Sequence, residues 1–148
     1  MSIEDDAVEV RAQGWRTLAA LHGLIESELE KSLQSEHRLS VVEYTVLDVL
    51  SRQDGWHMRM QQLGRATALS PSATTRLVNR LEDRALLTRI LCLDDRRGIY
   101  TELTAAGQEL LTRARPVHDA TLERALADAR ELPELAPLVQ ALPSLLPA

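Results

Sequence analysis

The chain has 148 residues, a formal charge of −5 at pH 7 and one cysteine, which excludes an internal disulfide. It has no phenylalanine and only two tryptophans and two tyrosines, so the composition favours packed helices over an aromatic-rich β-sandwich. No apolar run approaches the length of about 18 residues that crosses a bilayer, and the first residues lack a signal-peptide pattern, so we expect a cytoplasmic protein without membrane association.

Positive charge is concentrated in one part of the chain. From Arg59 to Arg97 there are eight arginines and four acidic residues, a net charge of +4, whereas the other residues hold nine basic and eighteen acidic side chains, a net charge of −9. Basic contacts with phosphates supply much of the affinity of proteins for DNA. A local positive segment in an acidic chain is therefore typical of a protein that binds DNA with one part only.

The first predicted element is a long helix over residues 8–33. Its apolar residues recur at steps of three or four, which places one stripe along the helix. At a rise of 1.5 Å per residue this helix is about 39 Å long, about the diameter of a compact globule of this chain length. Such a helix is hard to cover within one chain, so it predicts an extended shape or a partner.

Two shorter helices are predicted next. Ser40 is a suitable N-cap, and Glu43, three residues later, completes a capping box, which places a helix at about 41–52. A polar loop that contains Gly55 follows, and then a short helix at about 58–68.

The segment SPSATTRLVNRL, at positions 70–81, predicts the helix of greatest interest. Ser70 is a good N-cap, Pro71 suits the first helical position, and the helix should run to about Arg84. On a helical wheel the inward arc consists of Ala73, Thr74, Leu77, Val78 and Leu81. The outward arc consists of Ser72, Thr75, Arg76, Asn79, Glu82 and Asp83, with Arg80 at the border.

The remaining segments predict a hairpin and further helices. ILCLDDRRGIYTEL, at positions 90–103, has two apolar or β-branched runs around a charged turn that ends at Gly98. Thr104 can cap a long helix, which Pro116 should kink or break near 113–115. The proline-divided tail predicts one last helical segment.

The order of these elements is the layout of a winged helix-turn-helix within a mainly α fold with a small β-hairpin wing. A helix fits the major groove of double-stranded DNA with its N-terminal residues nearest the base edges. Arginines at a hairpin tip can enter the narrow, strongly negative minor groove beside it. Two elements are thus predicted to contact the same DNA.

At this point the sequence resembles the MarR (multiple antibiotic resistance regulator) family of winged-helix transcription factors, over about residues 8–130. The resemblance is carried, in the family's order and spacing, by LSVVEYTVLDVL (39–50), TTRLVNRLEDRALLTR (74–89) and DRRGIYTELTAAG (95–107). It implies a homodimer of a single MarR-like domain. In this domain 1–38 and 104–148 are dimerisation helices and 39–103 is the DNA-binding lobe.

The resemblance also implies site residues. Arg97 corresponds to the family's minor-groove arginine, and Asp95 is placed to brace it. The predicted DNA-binding residues are Ser70, Ser72, Thr74, Thr75, Arg76, Asn79, Arg80, Asp95, Arg96 and Arg97. Arg59 and Arg65 are weaker candidates for phosphate contacts. Ala85 departs from the family pattern, because many members have glycine there; alanine either shifts the helix end or strains a left-handed cap.

Control by a small molecule is implied by the family alone. Members often bind small aromatic or anionic molecules between the dimerisation part and the DNA-binding lobes, which makes Trp15, His22 and Tyr44 candidates for an effector pocket. Packing at the dimer or domain junction is the alternative for these three. Cys92 is a candidate redox sensor because some members sense oxidants through a thiol, but its alternation with Ile90 on a strand favours a small core residue.

The sequence therefore predicts a homodimeric transcriptional regulator, a ligand-responsive repressor on an inverted-repeat operator, without a cofactor. The alternatives are a winged-helix protein-interaction module that does not bind DNA and a regulator that senses oxidants through Cys92. We expect neither an enzyme nor a metal site, because the four histidines lack ligand spacing and no GxSxG motif or glycine-rich phosphate loop is present.

Overall fold

The computed structural model describes residues 3–91 and 98–145. In chain order the elements are α1 (Ile3–His37), α2 (Val41–Ser51), a 3-10 turn (Asp54–Trp56), β1 (His57–Arg59), α3 (Met60–Ala66), α4 (Pro71–Asp83), β2 (Leu87–Leu91), β3 (Ile99–Leu103), α5 (Ala105–Arg130), α6 (Ala136–Ala141) and a second 3-10 turn (Leu142–Leu145). Helices dominate and the strands form one small antiparallel sheet, which confirms the predicted fold class.

The chain divides into two compact units. Met1–Ser32 and His118–Ala148 form the first, which we call the helical unit, and Leu33–Val117 form the second, which we call the winged unit. The predicted roles of residues 1–38 and 104–148 in dimerisation and of 39–103 in DNA binding stay predictions.

The winged unit has an apolar core to which its helices and the sheet all contribute. Leu47 of α2, Leu63 of α3, Leu77 of α4, Leu87 of β2 and Leu111 of α5 belong to it and are at most 2% exposed. Complete burial of a leucine side chain contributes about 1.5–3 kcal/mol. Since isolated helices as short as α3 and α4 are marginal in water, this packing is what holds them in place.

The predicted capping box at the start of α2 is confirmed. The Glu43 backbone N–H donates to Ser40 Oγ at 3.0 Å, and the Ser40 backbone N–H donates to Glu43 Oε1 at 2.9 Å. These two reciprocal bonds satisfy groups that a helix start would otherwise leave unpaired.

The sheet contains one more strand than the hairpin predicted from sequence. The strand order is β1-β3-β2, and β1 pairs with β3 in the register His57↔Glu102, Met58↔Thr101 and Arg59↔Tyr100. The prediction of a helix from residue 58 was therefore wrong by two residues. A three-residue strand is too short to carry its own periodicity signal, and it forms because β3 offers it a free edge.

The predicted break at Pro116 is wrong, because α5 runs through this residue without interruption, and the alternative of a kink stays a prediction. A proline inside a helix costs about 3 kcal/mol, since it removes one hydrogen bond and crowds the preceding turn. Before the proline, Leu111 and Ala114 are buried in the core of the winged unit; after it, Ala125 and Ala129 are buried in the helical unit. Burial on both sides outweighs the local cost.

The helical unit has a smaller core and a more exposed apolar surface. Its core includes Leu21 of α1, Ala129 of α5 and Val139 of α6. Trp15 and Leu24 of α1 remain largely exposed. None of the helices in the described part of the chain is long and apolar enough to cross a membrane.

Candidate nucleic-acid interface

The start of α4 is built as predicted. Ser70 is the N-cap, with extended backbone angles, and its Oγ accepts a hydrogen bond from the Ala73 backbone N–H at 3.2 Å. Pro71 occupies the first helical position, where its missing N–H leaves no bond unmade. The N-terminal turn of α4 is therefore fixed by its own sequence.

The two faces of α4 differ sharply in burial. Leu77, Val78 and Leu81 are buried in the core of the winged unit. The exposed residues of the predicted DNA-binding set on this segment are Ser70, Ser72, Thr75, Arg76, Asn79 and Arg80. The first ten residues of the helix carry two arginines and no acidic residue, so the exposed face is positively charged at pH 7.

Three polar side chains on this face have no hydrogen-bond or ion-pair partner among the described residues. Arg76, Asn79 and Arg80 make no hydrogen bond or ion pair with any residue in the described part of the chain. Nearer the N-terminus, the Thr75 hydroxyl already forms a hydrogen bond within the helix, because its Oγ1 donates to the Pro71 carbonyl oxygen at 3.0 Å. Arg76, Asn79 and Arg80 thus keep their donors and acceptors available for a ligand outside the chain.

Thr74 differs from the other predicted DNA-binding residues of α4, because it is only 2% exposed. Its Oγ1 donates to the Ser70 carbonyl oxygen at 2.9 Å. A Cβ atom placed on Gly64 of α3 would lie 2.9 Å from the same Oγ1, so this pair marks a close approach of α3 and α4. Thr74 serves helix packing here, and we leave it out of the proposed contact set.

The end of α4 settles the alternatives left open for Ala85. Ala85 has φ +60°, so alanine occupies the left-handed position that the family pattern usually gives to glycine. The Leu86 N–H donates to the Leu81 carbonyl and the Ala85 N–H to the Glu82 carbonyl, which is the Schellman arrangement. The helix end is therefore not shifted, and the alanine is strained.

The turn after α4 is bonded to the start of α5. Thr104 Oγ1 donates to the Ala85 carbonyl oxygen at 2.7 Å, and the Thr104 N–H donates to the Leu86 carbonyl at 3.1 Å. A Cβ atom on Gly107 would lie 2.3 Å from that same Leu86 oxygen. The glycine at the end of the segment DRRGIYTELTAAG, which carries part of the family resemblance, thus has a physical reason, because only glycine permits this approach.

The strands of the predicted wing are present, and its tip lies outside the described residues. β2 and β3 pair from Leu87↔Leu103 to Leu91↔Ile99. The predicted wing residues Asp95, Arg96 and Arg97, together with Cys92, fall in the part that is not described.

The base of the wing carries an aromatic and basic cluster. Arg59 of β1 donates from Nε to Tyr100 Oη at 3.1 Å, and its Cζ lies 5.5 Å from the centroid of the Tyr100 ring. His57 meets the same ring edge-on, at 5.3 Å between centroids. Arg59, a weaker candidate from sequence, is thus held against the sheet.

A cavity of about 340 Å³ lies between α4 and the strands of the wing. Its lining includes Arg59, Gln61, Thr75, Arg89, Gly98 and Ile99. Gln61 and Arg89 were not among the site residues predicted from the sequence. The available signal for Arg89 was a single charged residue within the short strand LTRIL, which follows α4 after the turn at residues 84–86.

An ion-pair network joins α2 to α5 within the winged unit. Asp48 accepts from Arg115 Nη2 through Oδ1 and from Arg52 Nε through Oδ2, both at 3.0 Å. Burial raises the pKa of Asp48, but the hydrogen bonds from Arg52 and Arg115 outweigh it and leave this pKa below its ordinary value.

The effector-pocket candidates have different environments. Trp15, in the helical unit, is 68% exposed, whereas Tyr44, in the winged unit, is 4% exposed and belongs to that unit's core. His22 Nε2 lies 2.6 Å from Glu26 Oε2, one helical turn away.

Within residues 3–91 and 98–145, no three His, Cys, Asp or Glu side chains come together in a way that could hold a metal ion.

Comparison with known proteins decides the family. Residues 39–98, from the end of the α1–α2 connection to the first residue after the wing tip, match the model of the MarR family. AbsC, a MarR family transcriptional regulator from Streptomyces coelicolor, is 32% identical over 96% of this chain and 91% of its own, with a TM-score of 0.75. The chain belongs to the MarR family.

Two further MarR-like structures bear on ligands. Another MarR family transcriptional regulator from Streptomyces coelicolor, solved in complex with DNA, is 27% identical over 100% of this chain and 91% of its own, with a TM-score of 0.73. CouR from Rhodococcus jostii, solved with p-coumaroyl-CoA bound, is 30% identical over 72% of this chain and 73% of its own, with a TM-score of 0.65. The chain is thus similar to transcriptional regulators throughout most of its length.

Proposed function

We propose that this MarR family transcriptional regulator is a sequence-specific repressor that binds an inverted-repeat operator as a homodimer and is controlled by a small molecule. The observation that carries the proposal is the exposed, unengaged trio Arg76, Asn79 and Arg80 on a helix whose opposite face is buried. The MarR family relative solved in complex with DNA supports the same ligand.

The chemistry of this face suits the major groove. An arginine fork matches O6 and N7 of guanine, and an asparagine amide matches N6 and N7 of adenine. Arg76 and Asn79 are three residues apart and hence neighbours on one face of α4. Arg96 and Arg97 at the wing would enter the flanking minor groove, with Asp95 orienting them.

A homodimer is supported by the apolar surface of the helical unit. A cavity of about 700 Å³ there is lined mostly by small and apolar residues of α1, α5 and the segment after α5, among them Ala20, Leu24 and Leu132. Three acidic residues, Glu28, Asp128 and Glu134, also line it. Leu18 and Leu24 are exposed and would be covered by a second copy of the chain. Two α4 helices would then enter successive major grooves about 34–36 Å apart, which corresponds to an inverted repeat.

Control by a small aromatic or anionic effector is supported by the relative that binds p-coumaroyl-CoA. A ligand that binds one arrangement of the dimer more tightly shifts the population toward it and so changes the affinity for DNA. Of the three pocket candidates, Trp15 has the exposure that such a contact needs, His22 is paired with Glu26, and the burial of Tyr44 favours a packing role.

The proposal is tested by selecting bound fragments from the source genome and titrating them against salt. Arg76→Ala should weaken binding of the selected duplex about 5- to 150-fold, the range expected for one base-specific contact. Arg113→Ala, an exposed arginine of α5 in the same unit, is the matched control and should leave the affinity unchanged. A chain that selects no fragment, or binds DNA without salt dependence, would instead be a winged-helix protein-interaction module.

A further inference from the structure

Two of the three guanidinium nitrogens of Arg89, a half-buried residue of β2, are buried without a partner among the described residues. Its Nε and Nη2 atoms are inaccessible to solvent and have no hydrogen-bond partner among residues 3–91 and 98–145. A guanidinium stays charged at any physiological pH, and a buried charge without a partner is costly. Such a group is stabilised where an anion completes its bonding.

The polar neighbours of Arg89 form their hydrogen bonds with groups other than its guanidinium. Thr101, directly opposite on β3, donates from Oγ1 to the sulfur of Met60 at 2.7 Å. Glu82 accepts at 3.2 Å from the backbone N–H of Arg89 and makes no ion pair with its guanidinium. The chain therefore provides no counter-charge for this arginine among its described residues.

The cavity of about 340 Å³ between α4 and the wing contains Arg89 in its lining. Arg59 and Gln61 contribute further potential donors, and Thr75 can donate here if its hydroxyl turns away from the Pro71 carbonyl oxygen. No acidic residue lines the described part of this cavity. Two arginines and two neutral donors around one concave space form a binding site for an oxyanion.

The position of the cavity identifies the oxyanion. If α4 occupies a major groove and the wing the adjacent minor groove, the sugar-phosphate strand that separates the two grooves must cross the gap between α4 and the wing. Thr75 lies on one side of this gap, and Gly98 and Ile99 lie on the other. A strand on this path passes over the cavity.

We propose that this cavity is a seat for one backbone phosphate of DNA, with Arg89 as its principal cation and Arg59, Gln61 and Thr75 as supporting contacts. The phosphate seat rests on the proposed function, because it assumes that α4 and the wing bind DNA. This phosphate contact contributes affinity without sequence preference, and it fixes the position of α4 and the wing along the duplex.

The first test is the salt dependence of DNA binding, measured by fluorescence anisotropy with the selected genomic duplex and an unrelated duplex. Arg89→Gln should weaken binding to both duplexes by a similar factor and reduce the slope of log K against log salt by about 1 per bound chain. Arg124→Gln, an exposed arginine of the helical unit with the same charge change, should leave the slope unchanged.

The second test locates the phosphate. Neutral methylphosphonates are substituted one at a time along the strand between the grooves of the selected duplex. With the wild-type chain, one position should lower the affinity, and with Arg89→Gln the loss at that same position should be much smaller, because only the supporting contacts remain. If Arg89→Gln does not fold, Arg89→Lys serves, because it keeps the charge and loses the two-atom fork; it should reduce the effect of that position.

The outcomes separate the two proposals. If the wild-type chain binds DNA while the folded Arg89 variant keeps the same salt slope and the same methylphosphonate pattern, the phosphate seat is overturned and the proposed function stands. If inorganic phosphate raises the Tm of the wild type but not of Arg89→Gln, and the DNA data do not change, the site takes a free anion instead. If the wild type binds no duplex, both proposals fail.

Discussion

Arg84 joins the end of α4 to the end of α1. Its Nη1 donates to the Arg38 carbonyl oxygen at 2.7 Å, and its Nη2 lies 3.4 Å from the His37 carbonyl oxygen. The last carbonyl groups of a helix lack partners within the helix, and a cation near them is favourable. The Arg84 side chain therefore provides hydrogen-bond donors and a positive charge for carbonyl groups at the C-terminal end of α1.

Arg84→Ala should lower the free energy of unfolding by about 1 kcal/mol, since the lost hydrogen bonds are exposed and only modestly stabilising. Thermal or urea unfolding measures the effect. Arg80→Ala is the matched control on the same helix, because Arg80 has no partner among the described residues. It should leave stability unchanged and weaken DNA binding; equal stability losses for the two variants would contradict this assignment.

Ala85→Gly should raise the free energy of unfolding by about 0.5–1 kcal/mol. The left-handed position costs alanine about 1–2 kcal/mol, and glycine removes this strain at some expense in the entropy of the unfolded chain. The midpoint of urea unfolding measures the gain. Ala127→Gly, at an exposed position inside α5, should have the opposite sign. A loss of stability in both variants would show that the strain at Ala85 is negligible.

Gly107→Ala should destabilise the chain by more than about 2 kcal/mol, because a Cβ atom there meets the Leu86 carbonyl oxygen at 2.3 Å and backbone must move. Gly14→Ala, where no heavy atom lies within 4 Å of the added Cβ, should instead stabilise α1 slightly. Differential scanning calorimetry on both variants decides the point. An unchanged Tm for Gly107→Ala would be incompatible with the close approach.

Asp48 should make stability depend on pH in the acid range. Its folded pKa lies below the ordinary value of 3.8, so its contribution is present above pH 3.8 and is lost as pH falls through the lower, folded-state pKa. The Tm difference between wild type and Asp48→Asn should therefore be largest near neutral pH and shrink in that acid range. Arg115→Gln removes one of the two hydrogen bonds to Asp48, so in this background the effect of Asp48→Asn on Tm should be smaller. A Tm difference that does not depend on pH would show that the ion pairs of Asp48 are not its source.

Thr74 and Thr75 are adjacent residues with opposite expected roles in DNA binding. Thr74→Val keeps the shape of a buried side chain and should change the affinity for DNA by less than about twofold, with some loss of stability from the hydroxyl. Thr75→Val alters an exposed residue that lines the phosphate seat and should weaken binding more. Anisotropy titrations of both variants make the comparison, and a larger loss for Thr74→Val would restore it to the contact set.

Much of the winged unit was predictable because its signals are local. Ser70 and Pro71 start α4 through bonds made within one turn, Ser40 and Glu43 close a capping box three residues apart, and the faces of α4 follow from helical periodicity alone. Each of these signals lies within one turn of helix or within one helix, where the chain has few alternatives.

Only the tertiary structure decided the features that need residues distant in sequence. β1 exists because β3 offers it an edge, Thr74 is buried because Gly64 lets α3 approach, and α5 continues through Pro116 because burial on both sides outweighs the local cost. Arg89 became a candidate only when α3, α4 and both wing strands enclosed its guanidinium. The sequence by itself determined which helix faces outward with basic side chains. Long-range packing decided which of its residues stay free for a ligand, because burial and enclosure depend on segments that meet only in the folded chain.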